Sequence, residues 1–195
     1  MRLFVALDID DNVRNKITRF LDGIREFAPD ARWVREESLH VTLKFIGEKT
    51  EDELGQIKST LETIKAGSVE MNIRGYGFFP GARAPRVFWI RIESDAKLAF
   101  LAATVNKTLA AIDIPEEEHD YNAHLTLARS GGGSGSPRWH KRDSPNRSFQ
   151  RLQEKLSALP VPEFGTMTAH EFFLYQSQLS PGGSRYTKLA AFALR

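Results

Sequence analysis

Two short stretches hold residues that can do chemistry together. In LHVTLKF, Leu39 to Phe45, a histidine and a threonine stand two residues apart between apolar neighbours. AHLTLAR, Ala123 to Arg129, repeats the arrangement 84 residues later. An imidazole titrates near pH 6.5, so of two facing imidazoles one can be protonated while the other is not. One then takes a proton from an attacking water or hydroxyl while the other gives one to the leaving oxygen. A threonine beside each supplies a hydroxyl donor, and fixed donors stabilise the charge on a phosphoryl group in displacement. His40, Thr42, His124 and Thr126 therefore point to in-line phosphoester chemistry without a metal. A single half-buried histidine in a strand is more often a structural residue, and it is the duplication that favours a site.

Such a site requires elements that aim both pairs at one place. Residues i and i+2 of a strand share a face, so His40 and Thr42 face one way and Val41, Leu43 and Phe45 the other. The same alternation separates His124 and Thr126 from Leu125 and Leu127. RLFVALDI reads as a strand, and the following segment has Val13, Ile17, Phe20, Leu21 and Ile24 at helical spacing up to Pro29. SLHVTLKFIG is a strand, TEDELGQIKSTLETIKAG a helix with a Thr50/Glu53 capping box and a stop at Gly67, and VEMNIRGYGFF a strand. The second half repeats this order with RVFWIRIE, a helix striped by Leu98, Leu101, Val105 and Leu109, AHLTLAR, the helix SFQRLQEKLSAL, and the closing strands FGTMTAHEFFLYQ and YTKLAAFAL. The expected fold class is α+β. Duplicated β-α-β-α-β lobes, about 1–80 and 85–195, form one bilobal domain, with antiparallel-type sheets facing a central cleft and helices outside.

The whole chain narrows the classes. Its 195 residues carry a net charge of +2, too little for a strong overall nucleic-acid field. Within Ser130–Arg147, however, Arg138, Lys141, Arg142 and Arg147 against Asp143 sum to +3, leaving −1 elsewhere. The Gly/Ser part of that loop is linker chemistry, and no Gly-Lys-Ser/Thr follows it as in a phosphate-binding P-loop. Its basic part could close over a phosphate-bearing ligand. The absence of cysteine excludes disulfides and thiolate chemistry. No apolar run is long enough to span a membrane, and the N-terminal run is too short for a secretory signal, so a cytoplasmic protein is expected.

Other candidates have simpler readings. Lys44 shares parity with His40 and Thr42 but reads as a solvated strand end. Phe4 and Phe45 could stack a nucleobase, yet short-strand aromatics, Trp33 included, usually belong to the core. Arg185 and Tyr186 could line the cleft. The pair His119–Asp120 lacks the further ligands of a metal phosphohydrolase, so no metal is expected. His140, His170 and Glu116–Glu118 read as structural or solvated.

RWVREESLHVTLKFIGE and HLTLAR resemble the two signature motifs of the 2H phosphoesterase superfamily. Together with RLFVALDI, GFFPGARAPRVFWIRI and LSPGGSRYTKLAAFAL they make the chain similar, within it, to the bacterial and archaeal RNA 2′,3′-cyclic phosphodiesterases, once called 2′-5′ RNA ligases. The resemblance is weakest over Ser130–Arg147. It implies metal-independent hydrolysis of a terminal 2′,3′-cyclic phosphate to a 2′-phosphomonoester. His40 would be the proton donor to the leaving 3′-oxygen, His124 the proton acceptor that activates water, and Thr42, Thr126 and Arg129 would bind the phosphate. No cofactor is implied. The partner would be RNA with a cyclic phosphate end, or a cyclic nucleotide, and the protein a monomer away from membranes. Alternatives are a 2′-5′ RNA ligase or 2′-linked phosphodiesterase, and a non-catalytic RNA- or nucleotide-binding module. Strict alternation puts Arg129 on the face opposite His124, so either the strand bends or ends before it or Arg129 is structural.

Overall fold

The computed structural model describes residues 1–131, 149–180 and 183–195. The basic part of the Gly/Ser loop, with Arg138, Lys141, Arg142, Arg147 and also His140, lies outside the described residues. The order is β1 (Arg2–Asp8), α1 (Asp11–Asp22), β2 (Arg32–Trp33), β3 (His40–Glu48), α2 (Glu51–Glu62), β4 (Val69–Phe79), β5 (Val87–Ser94), α3 (Ala96–Ala110), β6 (His124–Arg129), α4 (Gln150–Ser157), β7 (Glu163–Ala169), β8 (Glu171–Ser180) and β9 (Gly183–Ala193).

The fold is α+β with two antiparallel sheets, ordered β3-β1-β8-β9 and β2-β6-β5-β4-β7. The two motif strands lie in different sheets and approach each other where the sheets meet. The sheets do not follow the ranges 1–80 and 85–195. β4 joins the second sheet, and β8 and β9 join the first. The connection from β4 to β5, residues 80–86, is short, and strands so joined pair antiparallel in one sheet. FGTMTAHEFFLYQ is likewise two strands rather than one. The chain passes from one sheet to the other at His170, between β7 and β8.

The helices bury the stripes that their spacing predicts. In α1, Val13, Ile17 and Leu21 are buried and Asp10 caps the start by accepting from Val13 N at 2.8 Å. The segment beyond Gly23 tightens into a 3₁₀ turn, Arg25–Phe27, with Ile24 still buried. Thr50 and Glu53 form the capping box of α2, but the helix stops at Glu62, well before Gly67. The Thr63 hydroxyl donates to the Thr60 carbonyl at 2.7 Å, a local bond that competes with helix continuation. Leu98, Leu101, Val105 and Leu109 of α3 join Val41 and Leu43 of β3 and Leu125 and Leu127 of β6 in one apolar core. Each motif strand is thus packed by its apolar face, and its His/Thr face is left to the cleft. Among the described residues no helix is long and apolar enough to cross a membrane.

Both motif strands carry an extra residue immediately after the threonine. Ala6 of β1 faces Thr42 while Val5 faces Lys44, so Leu43 is bulged out of register. Trp89 of β5 faces Thr126 while Phe88 faces Ala128, so Leu127 is bulged in the same way. A bulge puts two successive residues on one side and reverses the alternation beyond it. Leu43 and Lys44 are both buried, as are Leu127 and Ala128.

Candidate active site

The reversed alternation settles the side to which Arg129 belongs. It returns to the face of His124 and Thr126, solvent-accessible, with Ala128 turned into the core. It also overturns two readings on the first strand. Lys44 is not a solvated strand end. It is 2 % exposed, and its Nζ donates to Asn106 Oδ1 at 2.7 Å and to the Pro115 carbonyl at 2.6 Å. Phe45 does not pack with Val41 and Leu43. It is 56 % exposed on the face of His40 and Thr42.

The two histidines are held alike. His40 Nδ1 lies 2.7 Å from the Ser38 carbonyl and His124 Nδ1 lies 2.8 Å from the Asn122 carbonyl, each two residues upstream. A carbonyl only accepts, so Nδ1 carries the proton in both neutral rings and Nε2 is left for a ligand. Thr42 and Thr126 are half-buried beside them. Tyr121 Oη donates to the Thr42 carbonyl at 3.0 Å, and Phe45 N donates to Glu117 Oε1 at 3.3 Å. The segment that leads into β6 is thereby pinned to β3, and with it the position of one motif relative to the other.

The rings sit in aromatic walls. Phe4 is 4.8 Å from His40 between ring centroids, and Tyr186 meets His40 edge-on at 5.1 Å. Phe79 meets His124 edge-on at 5.1 Å, and Trp89 lies 6.1 Å from it. Phe79 and Trp89 stack on each other at 4.8 Å. Gly77 makes room for this, since a Cβ there would come within 2.2 Å of the Trp89 ring. Trp33 packs on the core and its Nε1 donates to the Ala28 carbonyl at 3.1 Å.

Burial pushes the His40 imidazole down to about 4, against the Ser38 carbonyl and the Asp8 carboxylate, while His124 and Arg129 add to the depression. Burial also lowers His124, opposed by the Asn122 carbonyl and reinforced by Arg129. The Arg129 charge therefore reaches both imidazoles, and that of His124 reaches His40. Desolvation lowers Arg129 itself, with Tyr186 opposing it. Asp8, on β1 directly opposite His40, would be raised by burial. Hydrogen bonds from Lys188 at 2.5 Å and Ile9 N at 2.9 Å, and the Arg14 charge, hold it below its ordinary value. Two neutral imidazoles and a guanidinium facing one cleft form a place for an anion. Among the described residues no three His, Asp or Glu side chains come together to hold a metal ion.

Comparison with known proteins gives the family. Residues 7–89 match the family described as LigT like Phosphoesterase. An Archaeoglobus fulgidus protein named RNA 2′,3′-cyclic phosphodiesterase is 33% identical over 192 residues, spanning 98% of this chain and 99% of the relative. This chain belongs to the LigT-like phosphoesterases of the 2H superfamily. A second member of that name, from Methanothermobacter thermautotrophicus, is 32% identical over 100% of this chain and 99% of its own. Among solved structures, a Thermus thermophilus protein has a TM-score of 0.76 at 27% identity, covering 100% of this chain and 98% of that one. Escherichia coli LigT, crystallised with 3′-AMP, shares the fold, with a TM-score of 0.76 at 24% identity over 99% and 97% of the two chains.

Within this phosphoesterase the His-x-Thr signal marks four cleft residues, and the bulge brings Arg129, expected from the resemblance, to the same face. Tyr186, a candidate from sequence, does line the cleft. Phe79, Trp89 and Tyr121 stand outside the motifs and are added by the structure. Trp89 is legible in principle, because β5 alternates Trp89 and Arg91 with the buried Phe88, Ile90 and Ile92. The Ser38 and Asn122 carbonyls carry no side-chain signal at all.

Proposed function

We propose that this phosphoesterase hydrolyses 2′,3′-cyclic phosphate ends of RNA to 2′-phosphomonoesters, with residues 1–195 acting as one bilobal unit. The observation that carries the proposal is the matched pair of imidazoles, each tied at Nδ1 to a carbonyl and with no Nε2 partner among the described residues. His124 Nε2 takes a proton from water as its oxygen bonds to phosphorus. The bond from phosphorus to the 3′-oxygen breaks, and His40 Nε2–H protonates that oxygen. Thr42, Thr126 and Arg129 hold the non-bridging oxygens as charge develops. The names of the A. fulgidus and M. thermautotrophicus relatives support this substrate.

As a donor, His40 must be protonated in the complex, although burial disfavours its charge in the free protein. The phosphodiester anion supplies the compensation, since an opposite charge within a few ångströms favours the charged ring. The test is a short RNA with a 2′,3′-cyclic phosphate end, incubated in EDTA and followed by phosphorus NMR. A 2′-phosphate product is expected, with His40→Ala and His124→Ala each slowing turnover by roughly 10² or more. No turnover between pH 5 and 9 would overturn the proposal.

A further inference from the structure

A cavity of about 600 Å³ opens beside His124, with Trp89, Arg91, Asp120, Tyr121 and Asn122 among its walls. It continues the catalytic row. Trp89 is the cross-strand partner of Thr126 and Arg91 that of His124, and directly opposed residues of antiparallel strands share a face. The volume falls within the range of small-ligand sites, of order 300 to 1,000 Å³.

The walls have the chemistry of a ribonucleotide site. Trp89 offers an aromatic surface, and its Nε1 is shielded from solvent and donates to no group among the described residues. Arg91 is exposed and has no ion-pair partner among the described residues. The Asp120 carboxylate is an acceptor for a hydroxyl or amine. Arg91 lines the cavity from β5, opposite His124, whereas Arg129 lies beyond Thr126 on β6 and outside its walls, so Arg91 is the cation placed for a phosphate in the cavity.

We propose that this cavity is a subsite for the nucleotide preceding the one that bears the cyclic phosphate. Its base lies against Trp89, the phosphodiester that joins it to the terminal nucleoside pairs with Arg91, and its ribose 2′-hydroxyl donates to Asp120. Aromatic stacking and an arginine pair are general means of holding single-stranded RNA, and the 2′-hydroxyl is what marks it as RNA. The inference rests on the hydrolase reading and adds substrate length and sugar type to it.

The experiment compares cytidine 2′,3′-cyclic phosphate with a dinucleotide that ends in the same group. The dinucleotide should be favoured in kcat/KM by at least about tenfold, of the order of one charge-assisted hydrogen bond. Arg91→Ala should reduce that preference by about tenfold and leave the mononucleotide rate unchanged. A dinucleotide with a 2′-deoxy first residue should be poorer, and Asp120→Asn should narrow the difference. Equal rates on both substrates, or an Arg91→Ala loss shared equally by both, would overturn the subsite and leave the hydrolase reading standing. If neither substrate is hydrolysed, the hydrolase reading falls. Calorimetry with 2′-phosphate-ended mono- and dinucleotides then decides the subsite, and no Arg91-dependent gain in affinity would overturn it.

Discussion

Phe45 stands to His40 as Arg129 stands to His124. Each follows its threonine by three residues, across a bulged leucine, and each returns to the cleft face. The matching halves of the site thus differ at this position, with a cation on one side and an aromatic ring on the other. Of these two residues, Arg129 is the one with a charge that can neutralise a phosphate. Phe45, 6.2 Å from Phe4, extends the apolar wall on the His40 side. This difference suits a substrate with a charged end and an apolar base.

Arg129→Ala should therefore lower kcat/KM for a cyclic phosphate by about 10- to 100-fold, the loss of one charge-assisted contact in the transition state. Phe45→Ala should raise KM several-fold with kcat nearly kept. Steady-state kinetics on one substrate separates the two, and an unchanged kcat/KM in Arg129→Ala would remove it from the site.

Ligand binding should take up a proton. His40 titrates near 4 in the free protein, and a bound phosphate monoester should raise it toward neutrality. Imidazole NMR between pH 4 and 7, with and without 2′-AMP, reads this directly. An unmoved His40 resonance would deny that the anion sits beside that ring.

Stability should fall in mild acid. The folded values of His40 and His124 lie below the unfolded one, so the unfolded chain binds more protons as the pH drops below about 6.5. The folded state therefore keeps its full stability above about 6.5 and loses it toward 4. The loss is on the order of 3 kcal/mol for His40. Urea denaturation from pH 7 to 4.5 should show that slope, and His40→Asn should flatten it.

Lys44→Ala should cost about 2 to 4 kcal/mol, because it strips partners from Asn106 and the Pro115 carbonyl and leaves a cavity. Tyr121→Phe removes only the hydroxyl bonded to the Thr42 carbonyl. It should cost about 1 kcal/mol of stability yet lower kcat, since that bond ties the segment before His124 to the strand of His40. Denaturation midpoints and turnover measured side by side would show whether the two effects separate.

Local patterns in the chain account for much of this molecule. The stripe Leu98, Leu101, Val105 and Leu109 marks α3, the Thr50/Glu53 pair marks the start of α2, and the duplicated His-x-Thr marks both motif strands. Each is decided by residues within a turn or a strand of one another, so the sequence suffices. Arg129, Phe45 and Lys44 are different. Their faces depend on bulges at Leu127 and Leu43, and a bulge exists only relative to a partner strand far away in the chain. The exchange of β4, β8 and β9 between the halves is likewise a matter of pairing rather than periodicity. The low His40 value follows from burial in walls built by β1, β8 and β9, and its tautomer from the Ser38 carbonyl. Alternation and spacing name the candidate reactive groups. Which way they face and how they are charged is decided by long-range packing, because desolvation and strand register exist only once distant segments meet.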